Sequence, residues 1–391
     1  MARRTLIGVA AGVMAVALTA AACGSSGGSG GGGGGKKTYT IGFQGVLSGD
    51  NQQLGINALD GLKTAIDEAN KNSALPFTIK FVQADDAGDP SQAPTAAQKL
   101  IDNSSVLAVV GPMFSGATKA SEGLYTQAGL LSVSPSATNP TLTSSGFKTF
   151  YRVINPDTVQ GKADADYIAK GLKAKTVFSL DDKSDYGTGL SSALEAELKA
   201  NGVTVTHDGI NPTKDYTSEA TKIIAAKPDV LFYSGYYAEL SLLTKALKAA
   251  GFTGKIMSGD GSNDPQFIAQ AGATNAEGAY LTCACGDANS DPTQATFLKS
   301  FEASNPGAKP GTYSGEAYDA VNAIIEVLKQ LGSSADRASV LSAFAKVNFK
   351  GITKQISFQP NGEVVGTGVF IYQVKGGKIT VLGNAADLAK S

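Results

Sequence analysis

The residues in this chain best suited to chemistry fall into two sets that want opposite partners. Hydroxyls and small residues make up the first: Leu47-Ser48-Gly49, the run Gly111-Pro112-Met113-Phe114-Ser115-Gly116-Ala117-Thr118, and Ser134-Pro135-Ser136-Ala137-Thr138. Such segments offer hydroxyl and backbone N–H donors with few charges, which suits a carboxylate. Tyrosine and aspartate mark the second: Asp181-Asp182-Lys183-Ser184-Asp185-Tyr186-Gly187, Ser234-Gly235-Tyr236-Tyr237 and Gly259-Asp260-Gly261. An acid beside aromatic faces suits an ammonium, by charge pairing and by the pull of a ring face on a cation. One set for each end of a zwitterion is a coherent reading. Each residue also has a plainer use: Ser136 and Thr138 as helix or turn caps, Tyr186 and Tyr236 as rim aromatics, Asp260 before Gly261 as turn chemistry.

Other chemistries lack their residues. With 33 Lys+Arg against 34 Asp+Glu, the 391-residue chain has no basic excess for nucleic acid. One His and three Cys are too few for a metal centre built on those ligands, so no metal and no cofactor is expected. Gly30, Gly35 and Lys36 have the spacing of a phosphate-binding loop, but Lys37 stands where Ser or Thr is needed and no strand precedes it. Gly24-Ser25-Ser26-Gly27-Gly28 fits the nucleophile-elbow pattern by low complexity alone. His207 has no nucleophile motif around it and reads as a surface residue. Asp181, Asp182 and Asp185 lack the glycine and terminal Glu of a calcium loop. A catalyst is not expected.

The elements that would position the two sets alternate in type. Short β-rich runs at 39–47, 77–82, 106–110, 130–133 and 151–154 are separated by helical patterns, as in a parallel sheet with helices on both faces. The rhythm restarts with strands at 176–180, 203–206, 230–233, 255–257 and 279–282, and helices at 160–172, 190–201, 218–226, 239–250 and 264–270. Two such series predict an α/β protein of two doubly wound lobes. In open sheets of this kind, ligands sit at the carboxyl ends of the strands, where both chemical sets fall. Helices at 313–331 and 335–347 follow, and alternating residues from 353 to 382 predict hairpins around Gln359-Pro360-Asn361-Gly362 and Lys375-Gly376-Gly377.

Residues 1–22 have the make-up of a secretory signal: Arg3 and Arg4, an apolar run at 6–18, then Ala20-Ala21-Ala22 before Cys23. The uncharged stretch 6–22 falls short of the ~20 residues that span a bilayer. Residues 23–37 then form a tether rich in Gly and Ser. Outside the cytoplasm, Cys283-Ala284-Cys285 reads as a structural disulfide.

Several segments, in their order and spacing from Tyr39 to about Tyr372, resemble the periplasmic leucine/isoleucine/valine-binding proteins of ABC importers. They are Val46-Leu47-Ser48-Gly49, Asp85-Asp86-Ala87-Gly88-Asp89-Pro90-Ser91-Gln92-Ala93, Pro135-Ser136-Ala137-Thr138 with Leu142-Thr143, Asp185-Tyr186-Gly187-Thr188-Gly189-Leu190, Tyr233-Ser234-Gly235-Tyr236-Tyr237-Ala238-Glu239, and Gly259-Asp260-Gly261. The resemblance implies a type I periplasmic-binding-protein fold whose chain crosses between lobes near Asp157, Cys285 and Ile371. Residues 38–157 plus 286–370 then form lobe 1, and 158–285 plus 371–391 form lobe 2. It further implies that Ser115, Ser136 and Thr138 hold an amino acid's carboxylate and ammonium, that Tyr186 and Tyr236 close over it, that Asp260 pairs with the ammonium, and that Tyr318 borders the site. The family usually has Glu at Asp260, often an aromatic at Leu54 against the substrate side chain, and in some relatives a disulfide at Gly88 and Phe114. Cys23 resembles the lipidated cysteine of bacterial lipoproteins, with Ala20 in place of the usual Leu. By the same resemblance the protein is a monomer anchored by lipid to the outer face of the cytoplasmic membrane. Its partners are an amino acid, a membrane permease and a separate ATPase. Another small amide, urea or an aromatic acid is the alternative ligand, and a ligand-sensing receptor lobe the alternative role.

Overall fold

The computed structural model describes residues 36–366 and 368–390. The signal segment, Cys23 and the tether up to Gly35 lie outside the described residues. Five parallel strands, β1 (Lys37–Gly45), β2 (Phe77–Asp85), β3 (Val106–Val110), β4 (Leu131–Ser134) and β5 (Phe150–Arg152), form one sheet in the order β2-β1-β3-β4-β5. The unbroken apolar run of β3 is what a central strand covered on both faces requires. Helices α1 (Gln52–Lys71), α2 (Ala93–Asp102) and α3 (Ser115–Ala128) make the crossovers. On α1, Leu54, Ala58, Leu62, Ala65, Ile66 and Ala69 recur at helical spacing and are buried as one stripe.

The second sheet begins with β6 (Thr176–Asp181), β7 (Thr204–Gly209), β8 (Val230–Ser234), β9 (Lys255–Ser258) and β10 (Tyr280–Cys283), all mutually parallel. Its helices are α4 (Asp157–Asp166), α5 (Asp185–Ala200), α6 (Thr217–Ala226), α7 (Tyr237–Ala249), α8 (Pro265–Ala271) and α9 (Ala273–Ala276). The helix expected over 160–172 is α4 followed by a wider π turn at Tyr167–Gly171. Beyond β10, helices α10 (Ala295–Ser304), α11 (Ser314–Leu331) and α12 (Arg337–Phe344) return to the first sheet, α11 lying along α1. The crossing is close: a Cβ on Gly61 would stand 2.0 Å from the Ser314 carbonyl oxygen.

The C-terminal segments divide. Short strands β11 (Phe349–Lys350) and β12 (Gln355–Ile356) pair only with each other. The hairpin expected around Gln359–Gly362 is reduced to a single bridge, Phe358 to Val364, because too few alternating residues flank that turn to sustain a ladder. The second expected hairpin is fully formed by β13 (Phe370–Lys375) and β14 (Lys378–Asn384). It adds antiparallel strands to the second sheet, whose order is β14-β13-β10-β9-β8-β6-β7. Cys283, at the end of β10, is disulfide-bonded to Cys285.

Candidate functional site between the lobes

Strand order reverses between β1 and β3 in the first sheet and between β6 and β8 in the second. Loops leave the carboxyl ends of a sheet in opposite directions at such a point and open a crevice. Here the two crevices face one another, and hydrogen bonds cross between them. Asn57 donates to Asp264 (2.9 Å), the Asn139 amide to the Asp185 carbonyl (2.5 Å), and the Thr312 hydroxyl to the Asn263 carbonyl. Lys119 pairs with Asp185 at 2.6 Å.

Asp260, in the loop after β9, is fully buried at the centre. Its two oxygens accept from tyrosines of opposite lobes: Tyr186 in the first turn of α5 at 2.7 Å, and Tyr313, just before α11, at 2.6 Å. The Gly261 N–H donates to the Tyr186 hydroxyl at 3.1 Å. Tyr313 adopts φ +74, a left-handed conformation costing of order 1–3 kcal/mol in a bulky residue. Phe114 of the first lobe stacks on Tyr236 of the second with ring centroids 4.2 Å apart, and Tyr236 leans on Tyr186 at 5.2 Å. Burial raises the Asp260 carboxyl above its ordinary value, while the Tyr313 and Tyr186 hydroxyls hold it down.

More acid surrounds it. Asp157, the first residue of α4, is fully buried, and neither carboxylate oxygen meets a donor in hydrogen-bond geometry. Burial, reinforced by the charge of Asp260, pushes its carboxyl up to about 8, against the pull of the Thr138 hydroxyl and the Arg152 guanidinium. Asp164 lies about two helical turns further on, on the same face of α4. Burial lifts it well above the carboxylate range, and one of its oxygens accepts from Thr282 at 3.2 Å. Gln160 donates to the same Thr282 oxygen at 3.1 Å. Among the described residues, no group of His, Cys, Asp or Glu is placed to hold a metal ion.

The structure brings most of the expected residues together. Ser115, Ser136 and Thr138 meet at the ends of β3 and β4, all buried. The Ser115 hydroxyl accepts the Asn139 N–H at 3.2 Å and that of Ser136 donates to the Met113 carbonyl at 2.5 Å, so both also tie their loops in place. The Thr138 hydroxyl lies toward Asp157 without reaching full hydrogen-bond geometry. Leu54 is fully buried in the first turn of α1. Tyr318 is the exception and corrects the expectation that it borders the site. Its hydroxyl donates to Glu68 of α1 and its ring packs edge-on against Phe297 at 4.9 Å. Tyr318 lies within α11, whereas Tyr313 precedes the helix in a left-handed conformation, and the two side chains reach different partners. Tyr313, Asp157, Gln160 and Asp164 were not among the expected site residues. The available signal was positional: Asp157 follows Asn155-Pro156 at a helix start, and Tyr313 follows the Pro310-Gly311 turn. His207 is half exposed and lies against Glu195 at 2.6 Å, away from this cluster. An open hollow of about 940 Å³ adjoins the Thr312–Asn263 bond and is lined also by Asn155, Gly286 and Gly368.

Two doubly wound lobes closed on a polar crevice define a ligand clamp. The chain belongs to the periplasmic binding protein family, whose model matches residues 38–378. It is 33% identical to a Leu/Ile/Val-binding protein homolog of Brucella melitensis, over 78% of this chain and 82% of that one. It is 31% identical to the Leu/Ile/Val-binding protein BraC3 of Rhizobium johnstonii, over 87% and 92%. Among solved structures, the branched-chain amino acid transporter substrate-binding protein LivJ of Streptococcus pneumoniae, in complex with isoleucine, is similar at a TM-score of 0.81 and 28% identity, covering 89% of this chain and all of that one. The fold is that of a type I periplasmic binding protein, and the protein is a binding protein rather than an enzyme.

Proposed function

We propose that this protein binds a small α-amino acid with a branched aliphatic side chain, leucine, isoleucine or valine, between its lobes and delivers it to an ABC import permease driven by a separate ATPase. The observation that carries this reading is Asp260, a fully buried carboxylate bonded to one tyrosine from each lobe. With Asp157 beside it, the crevice favours an ammonium over a ligand that is only an anion, which argues against a simple aromatic acid. Ser115, Ser136 and Thr138, with the N-terminus of α3, supply the donors for the carboxylate. Tyr186 and Tyr236 form the second wall, and Leu54 lies on the aliphatic side. Residues 38–157 plus 286–370 act as one arm of the clamp and 158–285 plus 371–391 as the other. Cys23 carries the lipid that keeps this monomer at the outer face of the membrane.

A thermal-shift screen of the twenty amino acids, with urea and benzoate as contrasts, tests the reading. A ligand at ~100 times its Kd adds ~2.7 kcal/mol and raises the melting temperature. Branched aliphatic amino acids are expected to give the largest shifts. Asp260→Asn should abolish them, because an unpaired buried ion costs ~3–5 kcal/mol. Equal shifts in Asp260→Asn would remove that residue from the site. The chain has no Trp, so intrinsic Trp fluorescence offers no substitute readout.

A further inference from the structure

Helices α1 and α7 belong to opposite lobes and meet N-terminus to N-terminus beside the crevice. Each end carries backbone N–H groups without helical partners and a partial positive charge, so bringing two together is unfavourable unless acceptors lie between them. Neither helix caps itself: the N-cap residues, Asn51 for α1 and Tyr236 for α7, make no side-chain capping bond to their own helices. The caps come from across the gap. Asn51 Oδ1 accepts the N–H of Ala238, the second residue of α7, at 3.2 Å. Tyr237 Oη accepts the N–H of Gln53, the second residue of α1, at 3.2 Å. Asn51 Nδ2 also donates to Glu239 at 3.1 Å, in the first turn of α7, where a carboxylate opposes the helix dipole. Asn51, Tyr237 and Glu239 thus do between two lobes what a capping box does within one helix.

We propose that Asn51 and Tyr237 are positioning residues that set ligand affinity by stabilising the closed clamp, through reciprocal caps that exist only when the lobes meet. The inference rests on the amino-acid-binding reading above. A ligand pays for closure from its own binding energy, so any bond made only in the closed form tightens the apparent affinity for every ligand alike. The surface pair Lys214–Asp50 (2.5 Å) bridges the same rim, but both side chains are mostly exposed and add little.

The test compares wild type, Asn51→Ala and Tyr237→Phe by calorimetric titration with leucine, isoleucine and valine, together with ligand-free melting and amide exchange. Loss of one cap corresponds to roughly a five- to thirtyfold change in an equilibrium constant. Each variant should therefore weaken all three amino acids by a common factor in that range, preserving their order, with ligand-free melting unchanged. Amide exchange should rise in the opposite lobe, at Ala238 in Asn51→Ala and at Gln53 in Tyr237→Phe. Unchanged affinity in both variants overturns the latch. So does a factor that differs between ligands, which would mark direct contact, or a matching fall in ligand-free stability, which would mark a structural role. A wild type that binds none of these amino acids overturns the reading of the ligand instead, and the cross-lobe exchange pattern then judges the latch alone.

Discussion

Tyr313 and Tyr318 are five residues apart and have different fates. The first reaches across the crevice to Asp260, while the second bonds Glu68 on the far side of α11. Tyr313→Phe removes one of the two tyrosine donors to the buried carboxylate and should weaken ligand binding about tenfold, since a bond to an ion is worth ~1.5–3 kcal/mol. Tyr318→Phe should leave affinity unchanged in the same calorimetric titration and cost about 1 kcal/mol in urea unfolding. Reversed outcomes would return Tyr318 to the site. Residue types in the sequence announced an acid, tyrosines and hydroxyls, and these do converge. What they could not announce is which face a side chain takes when a left-handed residue such as Tyr313 turns the chain just ahead of a helix. Asp157 was hidden for another reason. An aspartate in a first helical turn looks like dipole chemistry, and only the packing around α4 shows it to be sealed from water.

At the scale of elements, legibility followed apolar periodicity. The bounds of β3 match the apolar run 106–110 because five consecutive apolar residues between polar turns leave a buried strand as the natural solution. Helix α10 was missed: Phe297 and Phe301 are its only buried residues, too thin a stripe to register against its polar neighbours. The C-terminal hairpins could be seen as pairs, yet nothing in their alternation says which sheet they join. Close approach between helices is legible only afterwards. Gly61 lets α1 touch the start of α11, and Gly61→Ala should cost about 1–3 kcal/mol of unfolding free energy by urea titration, because the added methyl meets backbone rather than a side chain able to move. A loss of less than 0.5 kcal/mol would mean that the two helices can part without penalty.

The whole molecule carries several carboxyls in places that disfavour charge. Burial pushes Glu122 and Asp157 up to about 8, and Asp182 and Glu316 up to about 7. Their folded values lie above the unfolded ones, so the native state binds more protons, and stability falls from about pH 4 upward until these groups ionise in the fold at about 7 to 8. Aspartates held low at the surface, such as Asp229, act only below about pH 4. Ligand-free protein should therefore melt at higher temperature at pH 5.5 than at pH 8.5. Amino-acid affinity should run the other way, because a protonated Asp157 or Asp260 no longer attracts an ammonium, and binding near neutrality should release protons. Scanning calorimetry and titration in buffers of different ionisation enthalpy measure both slopes. Parallel slopes would uncouple these acids from the ligand.

The order of strands in the second sheet also governs when it can be finished. Strand β10 gains its neighbour β13 only after the segment holding α10, α11 and α12 has been made, and β14 comes later still. On a chain made from its N-terminus both lobes therefore finish late: the first sheet waits for α10, α11 and α12 to cover it, and the second keeps an open edge until residues 370–384 appear.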